Sequence, residues 1–320
     1  MKMKKINIRY LNNTLESYYD VFICSASFEQ RCLSIPQKIK NKSIKKALIM
    51  ENMQGSPLVK NNAQTLNNLF GSKAIPVNVD FNEALTIADK IVKELNSLQG
   101  RKLKVLIDVT AFTHEILMIC LKVLLISNKV ESITGVYVNA SAYCPDQTME
   151  TKWLSKGCQE IRSVLGYPGM LLPSQKTHLI VVVGYEYERA FDMISALEPN
   201  SISLVYGSPD NSITEKDKEA NQVFNDLVRK MTFEYSNVES IKIPCNDPYK
   251  TAESLQALYD LHETDNIIVV PMNNKMSTVG VVLSTLNNER VQICYAPAVV
   301  YNESNYSSPG VDSYIFSIPK

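Results

Sequence analysis

The sequence predicts an α/β chain built as two tandem Rossmann-like repeats, each with a mainly parallel sheet, related by a pseudo-two-fold. Three observations predict it. Ten short apolar runs fall into two sets of five, amphipathic stretches of helical period lie between them, and the sets are displaced by about 160 residues throughout.

In the first set, residues 21–24, 47–50, 75–79, 105–109 and 133–138 are short, largely apolar runs, 21–24 and 47–50 without a break. Such runs mark strands covered on both faces, as in a parallel sheet. Between the third and fourth, residues 81–95 place Ala84, Ile87, Ala88, Ile91, Val92 and Leu95 on one helical face. The greasiest stretch, 116–126, carries Lys122 and is well short of the ~20 apolar residues of a membrane span, so it reads as a buried helix. The second set is 179–183, 203–206, 240–243, 267–270 and 292–295. Residues 1–141 form the first repeat and 178–320 the second. Residues 142–177 read as a linker, where Pro145, Gly157, Gly166, Pro168, Gly169 and Pro173 interrupt a single helical stretch at 153–165. From Tyr301 onward, NESNYSSPG reads as a mobile segment before a short strand at 314–318.

Composition narrows the function. Thirty-three basic residues balance 33 acidic ones, which argues against a broad nonspecific grip on nucleic acid. The basic run at 38–46 reads as a solvated helix end. The start, MKMKK, is followed by no apolar h-region, so no export is implied. Seven scattered cysteines without C-x-x-C fit a reducing cytoplasm. Three histidines, none within five residues of another, build no zinc pattern, and neither a metal nor a cofactor is expected.

The loops leaving the strands carry the chemistry. After its first strand, half one reads Ser27-Phe28-Glu29-Gln30-Arg31 and half two reads Gly184-Tyr185-Glu186-Tyr187-Glu188-Arg189. Ligands of open parallel sheets bind at the carboxyl ends of strands. There a helix start stabilises an anion, and Arg31 or Arg189 could clamp a phosphate, with Glu29 and Glu186 accepting from a ribose hydroxyl or a base amine. The alternative is that each Glu caps its helix and each Arg pairs with a neighbouring carboxylate. No G-x-G-x-x-G or G-x-x-x-x-G-K-[ST] accompanies either loop, which disfavours NAD and P-loop nucleotide binding. Loops at 51–57 and 206–212 follow the second strand of each half.

The other informative stretch is LIDVTAFTHEILM, where Asp108 sits inside an otherwise apolar strand and needs a hydrogen-bond or charge partner. Thr110 and Thr113 add hydroxyls, and His114 a proton carrier. Alternatively Asp108 bonds loop amides and Thr113 is a helix N-cap. Half two offers Asn273, Asn274 and Lys275 at the same place.

Asp108-Val109-Thr110 followed by Thr113-His114 resembles the D-x-T-x-x-T-K motif after the fourth strand of CRISPR-associated Rossmann-fold (CARF) sensor domains, with His114 at the lysine position. The resemblance implies a cyclic-oligonucleotide ligand held by the loops after strands one and four, and an internal version of the CARF pair as in fused SAVED sensors. The expectation is therefore a cytoplasmic binding module or sensor for a nucleotide-derived ligand, acting with a partner effector in antiviral defence. Its ligand residues would be Ser27, Glu29, Arg31, Asp108, Thr110, Thr113, His114, Glu186, Arg189, Asn273, Asn274 and Lys275. The alternative is an enzyme cleaving a nucleotide or cyclic oligonucleotide, a phosphodiesterase or N-glycosidase with Asp108 and His114 as acid/base candidates. A scaffold that has lost its ligands is the third reading.

Overall fold

The computed structural model describes residues 3–52, 55–80, 82–146, 152–208, 213 and 215–320. The chain forms two units, Met1–Pro145 with Ser307–Lys320, and Asp146–Tyr306. Unit 1 contains β1 (Lys4–Asn7), β2 (Tyr18–Ser25), β3 (Ser43–Asn52), β4 (Ala74–Val79), β5 (Leu103–Asp108) and β6 (Val130–Tyr143). Unit 2 contains β7 (Ser155–Cys158), β8 (Arg162–Pro168), β9 (Thr177–Val182), β10 (Ser201–Gly207), β11 (Val238–Ile243), β12 (Asn266–Pro271), β13 (Gln292–Tyr295) and β14 (Ala298–Tyr301). The last strand, β15 (Ser307–Ile318), returns to unit 1. Each of the ten predicted runs lies in a strand, with Val109 and Val183 one residue past the end of theirs.

The helices of unit 1 are α1 (Leu11–Thr14), α2 (Ser34–Ile39), α3 (Pro57–Phe70), α4 (Ala84–Ser97) and α5 (His114–Ile126). Those of unit 2 are α6 (Tyr187–Leu197), α7 (Glu215–Met231), α8 (Pro248–Leu261) and α9 (Lys275–Ser284). The apolar run expected to be a buried helix is α5, with Leu117, Met118, Cys120, Leu121 and Leu124 fully enclosed. No helix among the described residues is long and apolar enough to cross a membrane.

The two sheets share one topology. In unit 1 the parallel strands run β6-β5-β2-β3-β4, and in unit 2 β11-β10-β9-β12-β13. Numbered within its own repeat, each sheet reads third, second, first, fourth, fifth, the doubly wound order of a Rossmann-like fold. Apolar residues fill both faces of the central strands. Phe22, Cys24, Ile49 and Leu106 sit in one core and Leu179, Val181, Leu204 and Val270 in the other.

The expected linker is not a linker. Residues 155–158 and 162–168 are strands rather than a helix, because Gly157 and Gly166 take φ of +67° and +91°, a left-handed conformation incompatible with a helix. Val164 and Tyr167 turn inward, so the segment belongs to unit 2. The second repeat likewise does not keep the chain end. The strand expected at 314–318 runs from Ser307 and leaves for unit 1.

These two corrections are one finding. In chain order each repeat has five parallel strands followed by an antiparallel edge element, β7–β8 after the first and β15 after the second. Each edge element pairs in the other repeat's unit: β15 lies along β6, and β7 and β8 lie along β14 and β13. The registers correspond, Ser307 opposite Tyr143 and Ser155 opposite Tyr301. Tyr137-x-x-Ala140-x-x-Tyr143 in β6 recurs as Tyr295-x-x-Ala298-x-x-Tyr301, at the same offset that separates Arg31 from Arg189. The two repeats thus share one topology, and the edge element of each pairs in the other's unit.

Candidate functional site

In each unit the order of strands reverses between the first and fourth, β2 and β5 in unit 1, β9 and β12 in unit 2. At such a point the connections run to opposite faces of the sheet, and open α/β sheets take their ligands at the carboxyl ends there. The loops leaving these strands are those that the sequence singles out.

In unit 1 the loop after β2 turns on Ser27, whose Oγ accepts the Glu29 amide at 3.2 Å. The Ser27 carbonyl accepts Nδ2 of Asn62 in α3 at 2.7 Å. Glu29 stands at the N-cap of the short turn Gln30–Leu33 but its side chain does not cap it. Its carboxylate instead accepts Arg31 Nη2 at 2.6 Å, Arg31 Nε at 2.9 Å and Ser307 Oγ of β15 at 2.5 Å. Arg31 Nη1 donates to the Val138 carbonyl of β6 at 3.2 Å, and its guanidinium lies 5.4 Å from the centre of the Tyr143 ring. Only 3% of Arg31 is exposed. Burial opposes its charge, and the Glu29 carboxylate together with Tyr143 and Tyr137 more than offsets that, so Arg31 is held charged above its ordinary range.

Unit 2 repeats the cluster. Glu186, at the N-cap of α6, again does not cap with its side chain. It accepts Arg189 Nη1 at 2.7 Å and the Ser155 hydroxyl of β7. Arg189 also donates to Ser155 Oγ at 3.0 Å and to the Ala296 carbonyl, with its guanidinium 5.8 Å from the Tyr295 ring centre. Ser307 and Ser155, Val138 and Ala296 thus hold corresponding places. Each arginine ties its crevice loop to the exchanged edge strand and to a main-chain carbonyl, with Arg189 Nε enclosed and unpartnered, and a direct phosphate clamp would require the carboxylate–guanidinium pair to break. The carboxylate–guanidinium pair that the sequence places after the first strand is a staple between the two.

The loop after β5 is knitted to β6. Thr110 Oγ1 accepts the Val138 amide at 3.1 Å, so β6 binds Arg31 through the carbonyl and Thr110 through the amide of one residue. Asp108 Oδ1 accepts the Thr110 amide at 3.0 Å, a loop amide as the structural alternative expects. Burial pushes the Asp108 carboxyl up to about 7, with bonds from Thr110 and the charge of Arg31 pulling the other way. It therefore exchanges a proton near neutrality. Thr113 stands at the N-cap of α5 without capping it, and its Oγ1 is enclosed with no protein partner. His114 and Glu115, in the first turn of α5, are both buried. Cys24 and Cys32, beside Asp108, are neutral thiols. Burial raises both, Cys32 to about 12, so neither is a ready nucleophile.

In unit 2 the loops after β9 and β12 touch. A Cβ on Gly184 would lie 2.5 Å from the Met272 carbonyl oxygen and 2.8 Å from Asn273 Cα, so only glycine permits the approach. Asn273 donates to the Val183 carbonyl and to Asn221 Oδ1 of α7, while its Oδ1 accepts the Asn274 amide at 2.8 Å. Asn274 caps α9, accepting the Ser277 amide at 3.0 Å, and Lys275 begins the helix. The structure brings Ser27, Glu29, Arg31, Asp108 and Thr110 together in unit 1, and Glu186 with Arg189 in unit 2. Part of the loop at 206–212, and residues 53–54 of its counterpart, lie outside the described residues. Sequence reasoning missed Ser155 and Ser307. The Tyr-x-x-Ala-x-x-Tyr repeat is the signal that could have found their strands.

No family model and no curated protein matches the chain. Among solved structures, the chain is similar to one from Sinorhizobium meliloti 1021 named as a short-chain dehydrogenase/reductase, at 12% identity and a TM-score of 0.24, covering 85% of this chain and 90% of that one. That similarity is too low to bring the dehydrogenase's chemistry to this chain.

Proposed function

We propose that the chain is a cytoplasmic binding module for a nucleotide-derived ligand, with cyclic oligonucleotides the favoured class, and that it signals to a partner effector in antiviral defence. The observation that carries the reading is the position of its polar loops. Asp108 to His114, and Asn273 to Lys275, leave the strands at which each sheet reverses its order, where α/β sheets take nucleotides. At the unit 1 loops a ligand meets the start of α5, where the Thr113 hydroxyl is enclosed and unpartnered until the loop opens. A ligand at the unit 2 loops meets Lys275. Arg31 and Arg189 act one step behind, holding Glu29 and Glu186. A thermal-shift screen of the full chain against linear and cyclic nucleotides, followed by chromatography of the recovered ligand, tests this. A stabilising ligand recovered intact supports the module, and silence across the panel contradicts it.

A second reading has one observation in its favour. A carboxyl that titrates at about 7 is fit for general acid/base work. In an enzyme cleaving the nucleotide, Asp108→Ala or His114→Ala abolishes turnover and leaves binding nearly unchanged. Recovery of cleaved ligand from the screen selects this reading.

A further inference from the structure

At the opposite, amino end of the unit 2 sheet, two histidines far apart in sequence meet. His178 is the second residue of β9 and is 1% exposed, and His262 is the C-cap of α8. Together with Glu239 of β11, they place one donor atom each within 4.8 Å of one another. Every donor has an orienting partner. His178 Nδ1 lies 2.7 Å from Ser201 Oγ, and His262 Nδ1 lies 3.0 Å from Asp265 Oδ2. Ser203 Oγ donates to Glu239 Oε1 at 2.5 Å and lies 2.9 Å from His178 Nε2. Arg290 faces the group too, but donates to the main-chain carbonyls of His262 and Asp265.

We infer that His178, His262 and Glu239 form a site for a borderline transition-metal ion such as Zn²⁺. Two imidazoles and a carboxylate are a donor set of this class, and a hydrogen-bonded second ring nitrogen is how protein histidines are aimed at metals. The first repeat supplies the contrast. Asp20 of β2, at the same offset from His178 as Arg31 from Arg189, is also fully buried, and a cation meets it there, Lys45 Nζ at 3.0 Å. Unit 2 has two imidazoles and the carboxylates of Glu239 and Asp265 at the equivalent place, a donor set that an external cation completes.

The site must rearrange to take the ion. The rings stack with centroids 3.5 Å apart and planes 11° apart, so their nitrogen lone pairs run side by side, whereas a tetrahedral ion needs them to converge. His262 is only half-buried and is the ring that tilts. Because the Glu239 carboxylate only accepts, Ser203 donates to it and its Oγ accepts a hydrogen bond from Nε2–H of His178. On binding, that proton moves to Nδ1, which then donates to Ser201, and Nε2 faces the ion with no change in the charge of the ring.

Titration of the metal-free full chain with Co²⁺ alone tests the site. One equivalent should bind saturably with the visible absorption of a tetrahedral nitrogen and oxygen environment, and His262→Ala should abolish that band. No saturable binding, or an unchanged band in His262→Ala, overturns the assignment. Should His262→Ala fail to fold, Asp265→Asn keeps both rings and decides the matter. Its affinity should fall by about 10–100-fold, the effect of losing an orienting partner, and unchanged affinity overturns the site.

Discussion

Asp108→Asn should stabilise unit 1, and by an amount that grows with pH. The carboxyl is 2% exposed and titrates at about 7 in the folded chain against 3.8 for an ordinary aspartate. Below pH ~4 it is protonated folded and unfolded, and costs nothing. Between these values the unfolded chain releases a proton that the folded chain keeps, so stability falls as pH rises, and above about 7 the loss is complete. A gap of about three units at 1.36 kcal/mol each amounts to on the order of 4 kcal/mol, an upper bound because loop opening hydrates the carboxylate. Asparagine has nearly the same shape, accepts the Thr110 amide and carries no charge. Urea unfolding of both proteins at about pH 5 and about pH 8.5 measures the difference. The single tryptophan, Trp153, lies in unit 2. The effect should therefore appear in far-ultraviolet circular dichroism and be weak in tryptophan fluorescence. A difference that is flat across this range would refute the reasoning, since Asp108 would then ionise as an exposed acid does.

The remaining expectations follow from the staples and the crevice. Arg31→Ala and Arg189→Ala each leave a buried carboxylate unpaired and should destabilise their own unit by about 3–5 kcal/mol in denaturant unfolding, with only Arg189→Ala shifting the Trp153 transition. Ser155→Ala and Ser307→Ala remove one hydroxyl from the same clusters and should cost about 1–3 kcal/mol. Gly184→Ala drives a methyl against the Met272 carbonyl and should lower the melting temperature of unit 2 while weakening ligand binding in the same titration. Lys275→Ala should reduce ligand affinity and flatten its dependence on salt, because one phosphate contact is lost.

The parallel core was legible in the sequence because strands buried on both faces leave continuous apolar runs, and 21–24 or 267–270 can be little else between helical patterns. The exchanged edges were not. β8 buries Val164 and Tyr167, three residues apart, and leaves Leu165 exposed, and over so short a span that spacing is easily taken for a helical face. Which unit an edge strand joins is decided by contacts across hundreds of residues, such as Ser307 with Glu29. The site was half legible for the same reason. The aromatic–Glu–Arg loops and Asp108 stand out locally, but the arginines' partners are main-chain carbonyls and a serine from remote strands. The histidine pair escaped a search by spacing because its members come from a strand and a helix end rather than from one segment.

The most direct test of the account is hydrogen–deuterium exchange of the full chain with and without the nucleotide that gives the largest thermal shift. The account predicts slowed exchange in the loops after β2 and β5, residues 26–29 and 109–113, and after β9 and β12, residues 183–186 and 272–274. Protection confined to the amino ends of the strands, with these loops exchanging as before, would contradict it.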